Sequence, residues 1–331
     1  MVALRPFPTS FNCYFAASKS KHSSLLSSLK SSLFPCPRPP LPPPSLPSPA
    51  TLSTACSRLR ESGFALEEDE EEEGGAEQQQ PRNQQLRSPD LVALEYAELN
   101  LPHRTAEDLG HARIRQHVNP LSLSFSMPVE APQWESVFKD PALPLMVDIG
   151  SGSGRFLIWL AKAKCELGNY LGLEIRQKLV KRANCWVKEL QLDNIHFLFA
   201  NASVSFNNLI SSYPGPLAMV SILCPDPHFK KRHHKRRVVQ KPLVDSILCS
   251  LAPGGKVFVQ SDVFEVAVDM RNQFDEKLDV LQHIDSVDPD VSIDGDGWLR
   301  KNPMGIRTER EIHAEFEGAK VYRRMYQKKL I

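Results

Sequence analysis

From residue 145 to the C-terminus, apolar runs of strand length alternate with stretches whose apolar residues recur every three or four positions, and this alternation narrows the fold more than any other feature. Leu145–Ile149 reads as a strand, and residues 155–166 follow as a helix with Phe156, Trp159, Leu160 and Ala163 at i, i+3, i+4 and i+7. Leu179, Val180, Ala183, Trp186, Val187 and Leu190 stripe a second helix; Leu243, Val244, Ile247, Leu248 and Leu251 stripe another, stopped by Pro253-Gly254-Gly255. Further strands are expected at 170–175, Ile195–Phe199, Leu217–Leu223 and 256–260, with 280–284 and 320–326 as a terminal pair. The pattern predicts an α/β fold: a mostly parallel, seven-stranded sheet with helices on both faces. The last two strands, with no helix assigned between them, are expected to pair antiparallel. Trp159 and Trp186 fall on apolar stripes and are read as core residues.

Open α/β sheets bind ligands beyond the carboxyl ends of their strands, so the residues there carry the functional argument. The first strand runs into Asp148-Ile149-Gly150-Ser151-Gly152-Ser153-Gly154. Its alternate glycines permit a sharp turn and close approach to a ligand, yet the spacing is not the G-x-G-x-x-G of a dinucleotide site. Glu174 ends the second strand, where an acid can accept from ribose hydroxyls. Asn201 follows the third, where its amide oxygen can accept from an adenine amine. These strand ends describe an adenosine pocket with no required diphosphate, which S-adenosylmethionine fits.

After the fourth strand, Cys224-Pro225-Asp226-Pro227-His228-Phe229 precedes eight residues, 230–237, comprising six Lys/Arg and two His. Such runs often form solvated faces or import signals. At a strand end beside a carboxylate, this one points to chemistry on a nucleic acid. Cys224 is read as packing rather than as a nucleophile, because no base is placed beside it.

The run from Asp148 to Gly154, Gly172-Leu-Glu-Ile-Arg176, Pro225-Asp-Pro-His-Phe-Lys230 with its basic tail, Ser261-Asp262 and Thr308-Glu-Arg-Glu311 together resemble the tRNA (guanine-N7)-methyltransferase family. The resemblance begins near Arg113-Ile-Arg-Gln-His-Val-Asn-Pro-Leu121 and covers about two thirds of the chain. It implies a Rossmann-like class I methyltransferase, S-adenosylmethionine as cofactor and a variable-loop guanosine of tRNA as substrate. Carried over by motif, Asp148, Gly150, Gly152, Gly154, Glu174, Asn201 and Asp226 would face the cofactor, with Asp226 catalytic. Lys230, Asp262, Thr308 and Glu311 would contact the substrate, Glu311 accepting from guanine N1 and the exocyclic amine. Lys231, Arg232, Lys235, Arg236 and Arg237 would hold tRNA phosphates. Many bacterial members have Trp-Pro where this chain has His228-Phe229, and Asn201 stands where some relatives have an acid. A noncatalytic RNA-binding protein would explain the cations but not the adenosine pocket; an NAD-dependent oxidoreductase would leave the basic segment unused.

The net charge of +1 conceals an asymmetry, since residues 1–60 carry seven Lys/Arg and no acid while residues 61–80 carry nine acids and no base. Residues 1–60, rich in Ser and then Pro, are expected to be a disordered organellar transit peptide, chloroplast in preference to mitochondrion. Residues 61–88 are expected to be a disordered acidic and Gln-rich linker, and 89–331 the methyltransferase domain. No apolar run approaches the roughly 18 to 20 residues of a membrane span, so a soluble protein is expected. Cysteine spacing indicates neither a metal site nor a disulfide, and the Asp290 to Trp298 stretch matches a calcium loop too poorly to be more than a solvated loop. No obligate protein partner is expected.

Overall fold

The computed structural model describes residues 87–101 and 118–330. The expectations for 1–86, and the start of the resemblance at Arg113, lie outside them. Seven strands, β1 (Leu145–Ile149), β2 (Asn169–Glu174), β3 (Ile195–Phe199), β4 (Leu217–Leu223), β5 (Leu251–Ser261), β6 (Leu281–His283) and β7 (Tyr322–Lys328), form one sheet in the order β3-β2-β1-β4-β5-β7-β6. The pairs among β1 to β5 are parallel, whereas β7 runs antiparallel to both β5 and β6. The terminal pair is antiparallel as expected, but a helix does intervene between its strands.

Seven helices enter the argument: α1 (Ser88–Glu95), α2 (Arg155–Ala163), α3 (Gln177–Glu189), α4 (Ala202–Ser211), α5 (Lys241–Ser250), α6 (Phe264–Asp275) and α7 (Glu309–Phe316). Alternation along the strands feeds a core on each face. Leu145, Val147 and Ile149 pack with Phe206, Leu209, Leu243 and Ile247, while Met146 packs with Phe156, Leu160, Val180 and Trp186. Both layers are needed because β1 is buried along its whole length. Trp186 is core as expected, whereas Trp159 is only partly buried.

Helix α1 begins at Ser88, one residue before the expected domain start, and is fastened to the start of α7. The Arg307 guanidinium pairs with Glu95 at 2.5 Å, the Tyr96 hydroxyl donates to the Arg307 carbonyl, and His313 Nδ1 lies 2.7 Å from the Ser88 hydroxyl. These contacts bring α1 and α7 to one side of the strand ends. The calcium-like stretch is a turn closed by its own acid: Asp294 accepts from the Asp296 and Trp298 amides and pairs with Lys320 at 2.9 Å. No helix among the described residues is long and apolar enough to cross a membrane.

Candidate active site

The glycine turn after β1 needs its glycines for two different reasons. Gly150, Gly152 and Gly154 all have positive φ, of 81, 58 and 87°. At Gly150 a Cβ would meet nothing within 4 Å, so backbone conformation alone demands glycine there. At Gly154 a Cβ would stand 2.9 Å from the Ala183 Cβ and from the Phe197 ring. Expected at the cofactor, Gly154 instead lets α2 pack against α3 and β3.

Two clefts open at these strand ends. One, of about 740 Å³, is lined by Ile149, Leu173, Glu174, Ala200 and Asn201 with Val118 and Pro120. The other, of about 1070 Å³, is lined by Tyr96, Asp148, Ser151, Gly152, Arg182 and Thr308 among others. Gly150, Arg176, Cys224 and Asp226 belong to both. Asp226 therefore stands at the seam between a mostly apolar cleft and a second, more polar one.

The turn that carries Asp226 is strained and pinned. Cys224 and His228 have φ of 50 and 45°, conformations that cost non-glycine residues roughly 1–3 kcal/mol each. The Cys224 amide donates to the Gln260 carbonyl at 2.7 Å, and the Arg237 Nε donates to the Pro227 carbonyl at 3.0 Å. Arg237, expected on the tRNA backbone, is buried beneath the turn and paired with Glu265 at 2.8 Å and Asp269 at 3.0 Å. It is a staple, because its donors are spent inside the protein. Burial pushes the Cys224 thiol up to about 12, so it stays protonated and is no nucleophile.

Asp148 is buried, and burial pushes its carboxyl up to about 7, opposed by a 2.6 Å hydrogen bond from Ser221 and assisted by the charge of Glu174. Glu174 accepts from the Gly152 amide at 2.8 Å and from the Arg176 amide, Nε and Nη2 at 2.9, 2.8 and 3.1 Å. Its four lone-pair directions are thus committed, and a ribose would have to displace Arg176. Asn201 departs further from expectation. Its amide oxygen accepts from the Ser203 amide as the cap of α4, and its nitrogen donates to the carbonyls of Pro120 and Phe125. It lines the cleft and holds the 118–125 segment across it, with one lone pair of its amide oxygen spent on the Ser203 amide.

Among expected substrate contacts, Thr308 lines the second cleft. Glu311 is turned inward: it is fully buried, paired with Arg323 at 2.5 Å, and accepts from Gln260, Asn302 and the Thr308 amide. Thr308 and Glu311 form a capping box for α7. Asp262 pairs with Arg310 at 2.5 Å. Lys230, Lys231, Arg232 and Lys235 are exposed, as a phosphate-binding surface requires. Arg236 turns inward and lines the first cleft, its Nε buried and without a hydrogen-bond partner. Sequence reasoning missed Arg176 as the partner of Glu174, although it lies within the motif that ends β2, and missed Ser151, Arg182 and Glu309, which the packing of α2, α3 and α7 brings to one cleft.

The model of a family described as putative methyltransferase matches residues 142–324, more than half of the chain. A tRNA (guanine-N(7)-)-methyltransferase from Synechococcus sp. strain JA-2-3B'a(2-13) is 51% identical over 203 residues, 61% of this chain and 79% of that protein. Proteins of the same name from Synechococcus elongatus and Synechocystis sp. are 42% and 43% identical, over 66% of this chain and 97% and 99% of theirs. With identity of this order sustained over most of each relative's length, the chain belongs to the tRNA (guanine-N(7)-)-methyltransferase family of class I methyltransferases.

Proposed function

We propose that the protein transfers a methyl group from S-adenosylmethionine to N7 of a guanosine in the variable loop of tRNA. The observation that carries this reading is Asp226 at the seam of the two clefts, beside an exposed row of cations. The residues fit the cofactor. Ile149, Leu173, Ala200 and Ala202 offer an apolar wall to a base, and Asp148 and Asp226 face a ligand that carries an ammonium and a sulfonium. The Ser151 hydroxyl, sealed in the wall, has no partner among the described residues.

When bound, S-adenosylmethionine supplies an electrophilic methyl group. Guanine N7 presents an in-plane lone pair and no proton, so the chain need not remove one. Its task is alignment and electrostatics. Asp226, fixed on its pinned turn, orients the base and stabilises the cation that develops on it. Lys230, Lys231, Arg232 and Lys235 hold the tRNA backbone in place without reading its sequence. Arg236, turned into the first cleft, is left to the ligands there.

The test incubates the purified chain alone with labelled S-adenosylmethionine and tRNA, then maps N7-methylguanosine by chemical cleavage. Transfer to guanosine N7 is expected without a second protein, and Asp226→Ala should lose it while still binding tRNA. Binding with no transfer by the unaltered chain would leave a noncatalytic RNA-binding protein. The reading places the enzyme in the chloroplast, supported by the acid-free, Ser- and Pro-rich composition of residues 1–60. A fluorescent fusion of residues 1–88 should enter plastids; mitochondrial or nuclear signal refutes that assignment.

A further inference from the structure

The second cleft contains a cation that no carboxylate among the described residues pairs with. Three arginines line the cleft, and two have carboxylates: Arg176 with Glu174 and Arg310 with Asp262; Arg155, behind the cleft wall, pairs with Glu309 at 2.5 Å. Arg182 has no carboxylate partner among the described residues, and its Nε is buried without a hydrogen bond. Its guanidinium lies 4.9 Å from the centre of the Trp186 ring, and that of Arg155 lies 5.1 Å from the same ring. The indole thus serves as a platform for both guanidiniums. Burial, followed by the charge of Arg155, depresses the pKa of Arg182, and Glu309 only partly opposes this. Glu309 is itself committed to Arg155 and to the Ser153 hydroxyl.

A half-buried guanidinium held in place with a donor unused is costly unless a ligand satisfies it. Asp148 and Asp226 line the same cleft. It therefore presents acids and an unmatched cation together, the complement of a zwitterion. We propose that Arg182, supported by Trp186 and Arg155, is an oxyanion-binding residue that takes the carboxylate of the cofactor's amino-acid tail, or a phosphate of the tRNA. The zwitterionic match favours the carboxylate, with the ammonium of the same tail turned to the acids.

The inference rests on the cofactor reading above, and binding measurements separate the two. Arg182→Met keeps an unbranched chain against Trp186 and removes the charge; Arg182→Lys restores it. S-adenosylhomocysteine and 5′-methylthioadenosine, which lacks the amino-acid tail, are titrated into each full-length protein, and KM for tRNA is measured at saturating cofactor. For the carboxylate, Arg182→Met should weaken S-adenosylhomocysteine by about tenfold or more, leave methylthioadenosine unchanged, and be partly rescued by Arg182→Lys. For the phosphate, cofactor affinity should hold while KM for tRNA rises and its salt dependence becomes shallower. Equal loss of both nucleosides would mean that Arg182 only props the cleft, and no change in any measurement would leave it idle; either overturns the proposal. Failure of the unaltered protein to bind S-adenosylhomocysteine would instead refute the cofactor reading.

Discussion

Asp148 is a carboxylate placed where the fold disfavours its charge. Its register partner on β4 is Ser221, whose hydroxyl bonds it, yet burial still lifts its pKa from an ordinary value of 3.8 to about 7. Because the folded state holds this proton more tightly than the unfolded chain does, the ligand-free protein loses stability as pH rises from about 4 through 7. With roughly 1.4 kcal/mol at stake for each tenfold displacement of the equilibrium, Asp148→Asn, neutral throughout, should melt several degrees higher than the unaltered protein at pH 8 and little differently at pH 4. The same variant should bind S-adenosylhomocysteine more weakly, having lost a partner for the ammonium. Melting curves at the two pH values and one titration check this, and identical pH dependence in both proteins would remove Asp148 as the cause. The sequence marked Asp148 as a strand-end acid. Its protonation could not be read there, since burial and the Ser221 contact arise only when β1 and β4 pair.

Among the elements, α7 shows best how a motif located by resemblance also carries a structural task. Thr308 and Glu311 are spaced as a capping box, and in the structure they form one. Glu311 then continues inward to Arg323 on β7 and Gln260 on β5, so it ties the helix over the second cleft to the sheet. Thr308→Ala should cost about 1 kcal/mol of stability. Glu311→Ala should cost about 3–5 kcal/mol, because it leaves the buried Arg323 charge poorly compensated. Urea unfolding measures both. A Glu311 variant of undiminished stability with a raised KM for tRNA would return Glu311 to the guanine edge. Asn201 teaches the same lesson. Its position after β3 was evident, but the bonds its amide makes to α4 and to the 118–125 segment arise only when the tertiary structure brings these together.

Across the whole molecule, the basic segment divides into a surface and a foundation. Lys230, Lys231, Arg232 and Lys235 face outward, whereas Arg237 is buried under the turn that carries Asp226. Neutralising one of the exposed cations should weaken tRNA binding and reduce the slope of log affinity against log salt by about 0.7–0.9, with little change in melting temperature. Arg237→Ala should instead lower stability by about 1–3 kcal/mol; binding titrations over a salt series and thermal melts distinguish the two classes. The sequence by itself determined the alternation of strand and helix, the seven strands, the glycine turn and the acid between two prolines, because periodicity and backbone demands are local. It also placed the family, since several short motifs keep their order along the chain. Only the tertiary structure decided which charges face ligands and which face each other. Arg237, Glu311 and Asp262 spend theirs on neighbours distant in sequence, while Arg182, on an unremarked turn of α3, is left with a donor to give. A side chain's residual valence is fixed by what packs beside it, and no spacing along the chain records that.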